Sequence, residues 1–274
     1  MWKICCEAVN SDCIEHMNKI EILTAKMLAL PPIQGDETGW WTGIRQNIRD
    51  QFNSRIYPNT EYQVSVFLQW PEIVSTMVFG APECVHIELD FIRDWYAYPR
   101  AVLEDEVGQP QLRHGEIGSS PNLVHAAYAI RVWENTTGRK ITDLQSIVEI
   151  GGGYGAMAKV IRRAGYDGKY VIYDFPELSL LQEYYLSECG IKDIECAVNL
   201  PEIETSHELM IGLWSLSEMH EPDQTRFLSS LKAKHHLFAY NDVDWEEFDS
   251  RATLLTFPHT KVPSTYNGSY YLAS

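Results

Sequence analysis

"SIVEIGGGYGAMAKV", residues 146–160, constrains this chain more than any other stretch. Ile147, Val148 and Ile150 surround an acid, Glu149, and read as a buried strand. Four glycines follow within five positions: Gly151, Gly152, Gly153 and Gly155. Met157, Val160, Ile161 and Ala164 then recur at helical spacing. A strand therefore runs into a turn of unusual backbone angles, with no side chain in the way, and a helix begins directly after it. Ordering so many glycines is costly. In return, the start of that helix offers unpaired N–H groups and a partial positive charge. A ligand with a carboxylate or a ribose can lie against bare backbone there.

Two ligand classes compete for such a corner. Gly151-x-Gly153-x-x-Ala156 satisfies the loose dinucleotide pattern, a weak signal when it stands alone. Glu149 pulls the other way. A diphosphate gains nothing from a carboxylate two residues before the first glycine, whereas an amino group or another cation does. The same residues fit E-x-G-x-G-x-G through Gly151, Gly153 and Gly155. S-adenosylmethionine is cationic at one end and carries both a carboxylate and a ribose, so it fits this pattern. The alternative is an NAD(P)-dependent oxidoreductase. "YVIYDFPEL" ends the next strand with Asp174, about twenty residues beyond the glycines, where an acid accepts from both ribose hydroxyls. A plainer role for Asp174 is a helix cap before Pro176.

The surroundings supply the fold class. Apolar runs at 146–151, 169–175, 193–198, 209–216 and 235–240 alternate with helical patterns at 154–165, 176–189 and 222–232. That alternation predicts an α/β domain with a parallel sheet and crossover helices. "ATLLTFPHT" and "GSYYLAS", joined by "KVPSTYNG", predict a terminal antiparallel hairpin. "SSPNLVHAAYAIRVWENTTG" predicts a helix capped by Ser120, with Pro121 at its first position and one apolar side. Upstream, "DCIEHMNKIEILTAKMLAL" reads as a helix with Asp12 and Glu15 in a capping box, ended by Pro31-Pro32. "FLQWPEIVSTMVFG" reads as a helix, "ECVHIELDFIRDWYAYP" as strand or helix, and 104–120 as a loop or hinge. Residues 1–115 thus form a mainly helical, aromatic-rich region, and 116–274 the ligand-binding domain.

Charge and composition narrow the partners. The 274 residues carry a formal net charge of −16 and no Lys/Arg cluster, which argues against DNA, RNA and anionic membranes. No apolar run approaches a membrane span, and "MWKICCEAVNSD" lacks the apolar core of a signal peptide. Six cysteines are scattered without a C-x-x-C pair. Cys5, Cys6 and Cys13 lie close enough in sequence to consider a metal, but plain thiols in a cytoplasmic protein are the simpler reading.

"VEIGGGYGAMAKVI", followed by "YVIYDFPELSLLQEYYLS", resembles the class I S-adenosylmethionine-dependent methyltransferases, and more narrowly the bacterial and viral group described as sugar O-methyltransferases. The likeness covers about residues 120–274; residues 1–115 carry no matching motif. It implies a Rossmann-like seven-stranded sheet whose last strand is antiparallel and inserted beside its neighbour. It also implies that Glu149 and residues 151–155 lie along the methionine part and Asp174 on the ribose. Val198 and Asn199 would lie near adenine, with Asn199 where many relatives have an acid. Trp214 and Ser215 would flank the methionyl end. The acceptor implied is a sugar hydroxyl of a glycan or glycosylated metabolite. A phenolic or other small-molecule acceptor is the alternative, and a non-catalytic binding protein on the same fold is a further one.

Methyl transfer to oxygen requires alignment of the acceptor with the methyl carbon, plus a base or a metal to take up the hydroxyl's charge. "WSLSEMHEPDQ" follows the fourth strand, where an open α/β sheet places its site. His220 is the candidate base, with Glu218 beside it. In "YNDVDW", Asn241, Asp242 and Asp244 together with Glu218 make a candidate oxygen site for Mg²⁺. His125, Tyr128 and His259 are candidates to shape an acceptor pocket. The N-terminal aromatics, among them Trp40, Trp41, Tyr57, Tyr62, Phe67 and Trp70, serve either as a lid that stacks on flat or sugar rings or as ordinary core. The reading leaves a homo-oligomer open.

Overall fold

The computed structural model describes residues 18–33, 39–78, 82–112, 117–242 and 251–274. Its centre is β1 (Ser146–Ile150), an almost fully buried strand. β1 pairs in parallel with β2 (Lys169–Tyr173) on one side and β4 (Thr205–Leu213) on the other, so that Glu149 stands opposite both Ile172 and Ile211. β3 (Ile194–Ala197) and β5 (Leu231–Asn241) extend the parallel sheet outward. β7 (Ser269–Ala273) then pairs antiparallel with β5, and β6 (Thr260–Pro263) antiparallel with β7. The order is β3-β2-β1-β4-β5-β7-β6, the Rossmann-like seven-stranded sheet, with its last strand antiparallel and inserted beside its neighbour, that the resemblance implies. Strand order reverses between β1 and β4, which opens a crevice at their carboxyl ends.

Three helices follow their strands as the periodicity predicts: α7 (Ala156–Ala164), α8 (Pro176–Glu188) and α9 (Glu221–Ser230). Before the sheet comes α6 (Pro121–Thr137), capped by Ser120, whose hydroxyl accepts from the Leu123 amide. The single apolar side expected for α6 is a correction. Leu123 to Ile130 are buried without interruption, because α6 packs against α5, α7 and β7 at once. The terminal hairpin also differs from expectation. Arg251–Leu254 form a short helix, α10, and β6, the outer partner of β7, takes only Thr260 from the segment read as extended and Lys261 to Pro263 from the stretch read as a turn. Pro263 ends that edge strand, a place where a missing N–H is tolerated.

The described parts of the N-terminal region hold helices and turns and no strand. They contain α1 (Lys19–Leu28), α2 (Trp40–Asp50), α3 (Thr60–Ser65), α4 (Pro71–Thr76) and α5 (Pro82–Ile92). The capping box at the start of α1 is Asn18 with Glu21, at 2.9 and 2.7 Å. Asp12, Glu15, His16 and the three N-terminal cysteines lie outside the described residues, as do His114 and Asp244. "FLQWPEIVSTMVFG" divides into a single 3₁₀ turn, Phe67–Gln69, and α4. Residues 103–112 run without helix or strand, and Leu68 N–H donates to the Gly108 carbonyl at 3.1 Å. Among the described residues no helix is long and apolar enough to cross a membrane.

One apolar cluster joins the two halves of the chain. Leu23, Phe67, Trp70 and Val85 share it with Trp133, Val160, Tyr185 and Tyr271. Phe67 is fully buried and meets Trp70, Tyr154, Tyr184 and Tyr185 edge-on at 5.9–6.3 Å. Full burial of one such ring is worth about 1.5–3 kcal/mol. A second cluster, with Val148, Met210, Phe238 and Leu272, fills the other face of the sheet.

A buried ion cluster reinforces this junction. Lys159, on α7, has no exposed surface. Its ammonium donates to Glu104 Oε1 at 2.5 Å and to the Tyr185 hydroxyl at 2.7 Å, and it lies 2.8 Å from Asp105 Oδ2. Glu104 is equally buried. Removing one member of such a set strands the others. Lys159→Ala is therefore expected to destabilise the protein by roughly 3–5 kcal/mol in urea unfolding. Lys159→Met combined with Glu104→Leu should cost clearly less than the sum of the two single changes.

Candidate active site

The glycine turn sits at the crevice, and its backbone explains its composition. Gly151 has φ 72°, and a Cβ there would run into Ser215. A Cβ at Gly152 would fall 2.6 Å from Ile172 Cγ2 and 3.3 Å from Glu149 Oε2. Gly155, at φ 100°, precedes α7 and supplies no side-chain cap. The bare backbone forms one wall of a cavity of about 920 Å³. The other walls come from the ends of β2, β3 and β4, from Trp41 and Met77 of the N-terminal region, and from Tyr266 and Ser269 near β7.

Glu149 and Asp174 both line this cavity. Glu149 is buried, and the Tyr170 hydroxyl donates to its Oε2 at 2.8 Å. Loss of water pushes its pKa up to about 7; the Tyr170 hydrogen bond opposes that rise and Asp174 adds to it. Asp174 accepts from the Gly153 amide at 3.0 Å, from the Phe175 amide at 2.8 Å and from Gln182 Nε2 at 2.8 Å. Desolvation raises its pKa to about 7 in spite of these donors. The simple cap role does not hold: Phe175 occupies the cap position of α8, and Asp174 ties the glycine turn to α8 through Gln182, which also donates to Gly153 O at 2.9 Å.

Trp214 and Ser215 end β4 within the same cavity. Trp214 has φ 62°, a strained conformation for a bulky residue. Its indole N–H donates to Asn241 Oδ1 at 3.0 Å, and its ring stacks on His125 at 5.3 Å. The Ser215 hydroxyl donates to the Ile150 carbonyl, which locks the β4 end onto the glycine turn. Val198, Asn199 and Leu200, after β3, line the wall beyond Asp174.

Glu218 and His220 follow Ser215 and reach the cavity together. Desolvation raises the Glu218 pKa to about 7. His220 occupies the cap position of α9, but its side chain makes no cap hydrogen bond. His125 lies against the far wall; its Nδ1 is 2.7 Å from Glu88 Oε1 and its Nε2 3.2 Å from the Tyr271 hydroxyl. Tyr128 packs in the core on the same helix, and His259 packs against His236 and Phe257 away from the cavity lining.

Of the residues expected to form an oxygen site for Mg²⁺, Glu218 lines the cavity and Asp244 lies outside the described residues. Asn241 Oδ1 accepts from both Trp214 and Ser269. Asp242 is half exposed and lies 3.8 Å from Lys261. Among the described residues no three His, Cys, Asp or Glu come together as a metal site. Phe175, Gln182 and Met77 are cavity or corner residues that sequence reasoning missed, whereas Trp41 is one of the N-terminal aromatics considered for a lid and does line the cavity. For Phe175 and Gln182 a signal existed in "DFPELSLLQ", since Phe175 follows Asp174 directly and Gln182 lies about two helical turns further on.

No family model matches the chain, and no curated protein does. Solved structures do resemble it. An S-adenosylmethionine-dependent methyltransferase from Aquifex aeolicus is 15% identical, with 47% of this chain and 80% of that chain covered at a TM-score of 0.38. The mitomycin 7-O-methyltransferase is 12% identical, with 96% and 74% covered at 0.44. A ribosomal protein L11 methylase from Lactobacillus delbrueckii subsp. bulgaricus is 14% identical, with 55% and 76% covered at 0.39.

Two outcomes follow from this geometry. Gly151→Ala should cost more than about 1 kcal/mol in urea unfolding, because the residue is held at positive φ against Ser215. Glu149 has a folded pKa above its ordinary 4.5, so its contribution to stability is full below about 4.5 and is lost as pH rises through about 7. Thermal melts from pH 4 to pH 8 should show that decline, and Glu149→Gln should make it shallower, the remainder coming from Asp174 and Glu218.

Proposed function

We propose that the protein is an S-adenosylmethionine-dependent O-methyltransferase whose acceptor is a sugar hydroxyl of a glycan or glycosylated metabolite. The observation that carries this reading is the pairing of a naked glycine turn with two desolvated carboxylates, Glu149 and Asp174. Buried acids of this kind favour a ligand that brings positive charge and hydroxyl donors. A dinucleotide would bring two phosphates instead. Arg226 is the sole Arg or Lys among the cavity-lining residues, against Glu83, Glu149, Asp174, Glu218 and Asp223. This imbalance weighs against NAD(P) and against acceptors that carry phosphate.

The residues fit S-adenosylmethionine in detail. Glu149 and the backbone of 151–155 would hold the methionine part, and Asp174 the ribose. Val198 and Asn199 would face the purine, and Trp214 and Ser215 would bound the methionyl end. When bound, the cofactor supplies a methyl group activated by a sulfonium. Past Trp214 the cavity continues to His125, Asn241, Ser269 and Tyr266, a wall with hydrogen-bonding groups and aromatic faces suited to a sugar ring.

Glu218 and His220 serve as the proton-accepting side of this cavity. A carboxylate near pKa 7 is matched to general-base work at neutral pH. It would take the proton of the acceptor hydroxyl. His220, two residues further along the chain and on the same cavity, would pass that proton to solvent. Trp214, fixed by Asn241 and His125, keeps the acceptor aligned.

Incubation of labelled S-adenosylmethionine with neutral glycans and glycosylated metabolites tests this reading, with nucleotide sugars as the poor-substrate arm. Glu218→Gln should lower kcat by about 10²–10⁴ while S-adenosylhomocysteine still binds in calorimetry. The acid limb of the wild-type kcat profile should fall near pH 7. His220→Ala should likewise lose turnover and keep binding. Transfer to no hydroxyl on the panel, or binding of NADH in place of S-adenosylhomocysteine, would overturn the assignment.

A further inference from the structure

We infer that Trp41, from the N-terminal helix α2, is a purine-contacting cofactor residue, and that a buried Arg45–Glu177–Arg49 clamp positions it. The inference rests on the cofactor reading above and extends it to a part of the chain that carries no recognisable motif.

Placement comes first. The glycine turn takes one end of the ligand and Asp174 the ribose, so the base must extend past Asp174 toward the end of β3. Phe175 stands there, directly after Asp174, and lines the cavity. Trp41 lines it from the opposite side, with its ring centroid 5.6 Å from that of Phe175 and the planes at 45°. The two rings are tilted rather than stacked, so they form an open aromatic corner. Every nucleobase offers a flat face to such a corner.

The clamp explains why Trp41 stays there. Glu177, in the first turn of α8, has no exposed surface. Arg45 Nε donates to its Oε2 at 2.9 Å, and Arg49 Nε to its Oε1 at 2.6 Å. The Arg45 guanidinium also lies 4.6 Å from the Phe175 ring centre. A fully buried carboxylate held by two arginines is a demanding arrangement, and breaking it strands charge. It spans 132 and 128 residues of sequence and joins α2 to the first turn of α8, three residues beyond the ribose acid. Ordinary helix packing needs no such pair. Fixing an aromatic side chain over the nucleoside end of a ligand does.

Calorimetric titration of S-adenosylhomocysteine and of adenosine into the whole protein tests this. Trp41→Ala should weaken both by about tenfold, the scale of one base–aromatic stack. Trp41→Phe should recover most of the affinity, yet show a smaller ligand-induced change in tryptophan emission than wild type. Glu177→Gln should weaken adenosine several-fold although Glu177 touches no ligand, with circular dichroism confirming that the variant is folded. Wild-type affinity for adenosine in Trp41→Ala would overturn the role of Trp41 and leave the cofactor reading standing. Failure of the wild-type protein to bind S-adenosylhomocysteine would overturn both.

Discussion

Two carboxylates held away from water at the ends of neighbouring parallel strands set the terms for everything around them. Glu149 has the Tyr170 hydroxyl to offset its burial, and Asp174 has two backbone amides and Gln182. Those donors do not restore ordinary acidity to either group. A positive charge placed at this corner would favour the charged form of both acids. Stability given up at such a place is a common mark of a binding site. The glycine turn belongs to the same device, because any side chain on Gly151 or Gly152 would fill the space above the acids or displace Ser215 and Ile172.

Much of the α/β half was legible because its signals were local. Glu149, Gly151, Gly153, Gly155 and Asp174 fall within one strand–turn–helix–strand unit, and the spacing alone places them at one corner. Trp214, Ser215, Glu218, His220 and Asn199 could be assigned to strand ends, and all of them line the cavity. Local signals also misled. Pro263 and the polar residues beside it read as a turn, although an edge strand accepts them. Asn18 and Glu21 form a capping box of the same pattern as the one read at Asp12 and Glu15, which lie outside the described residues.

The N-terminal region was less readable for a physical reason. α3 and α4 have six residues each, too short for a hydrophobic period to declare itself. Their stability comes from the shared core, where Phe67 and Trp70 are buried. The aromatics thus divide between two roles that composition could not separate. Phe67 and Trp70 are core, while Trp41 lies on the cavity wall. Arg45 and Glu177 could not be paired from sequence at all, since nothing local marks partners so far apart.

A consequence follows for how the two halves of the chain work together. Met77 lies over Gly153, within ordinary contact distance of where a Cβ would stand. Trp41 borders the region beyond Asp174, and Glu83 borders the cavity from α5. The sheet therefore supplies the floor of the site, and residues of the N-terminal region between Trp41 and Glu83 supply its roof. The Lys159–Glu104–Asp105 cluster and the Arg45–Glu177–Arg49 clamp both tie the N-terminal half to the sheet half, through the first turns of α7 and α8. Each puts a desolvated charge where apolar packing would also have served. Such pairs are poor sources of stability and good sources of register, because a misplaced partner leaves a charge stranded. The roof is thereby held in one position over the cavity that the two acids line.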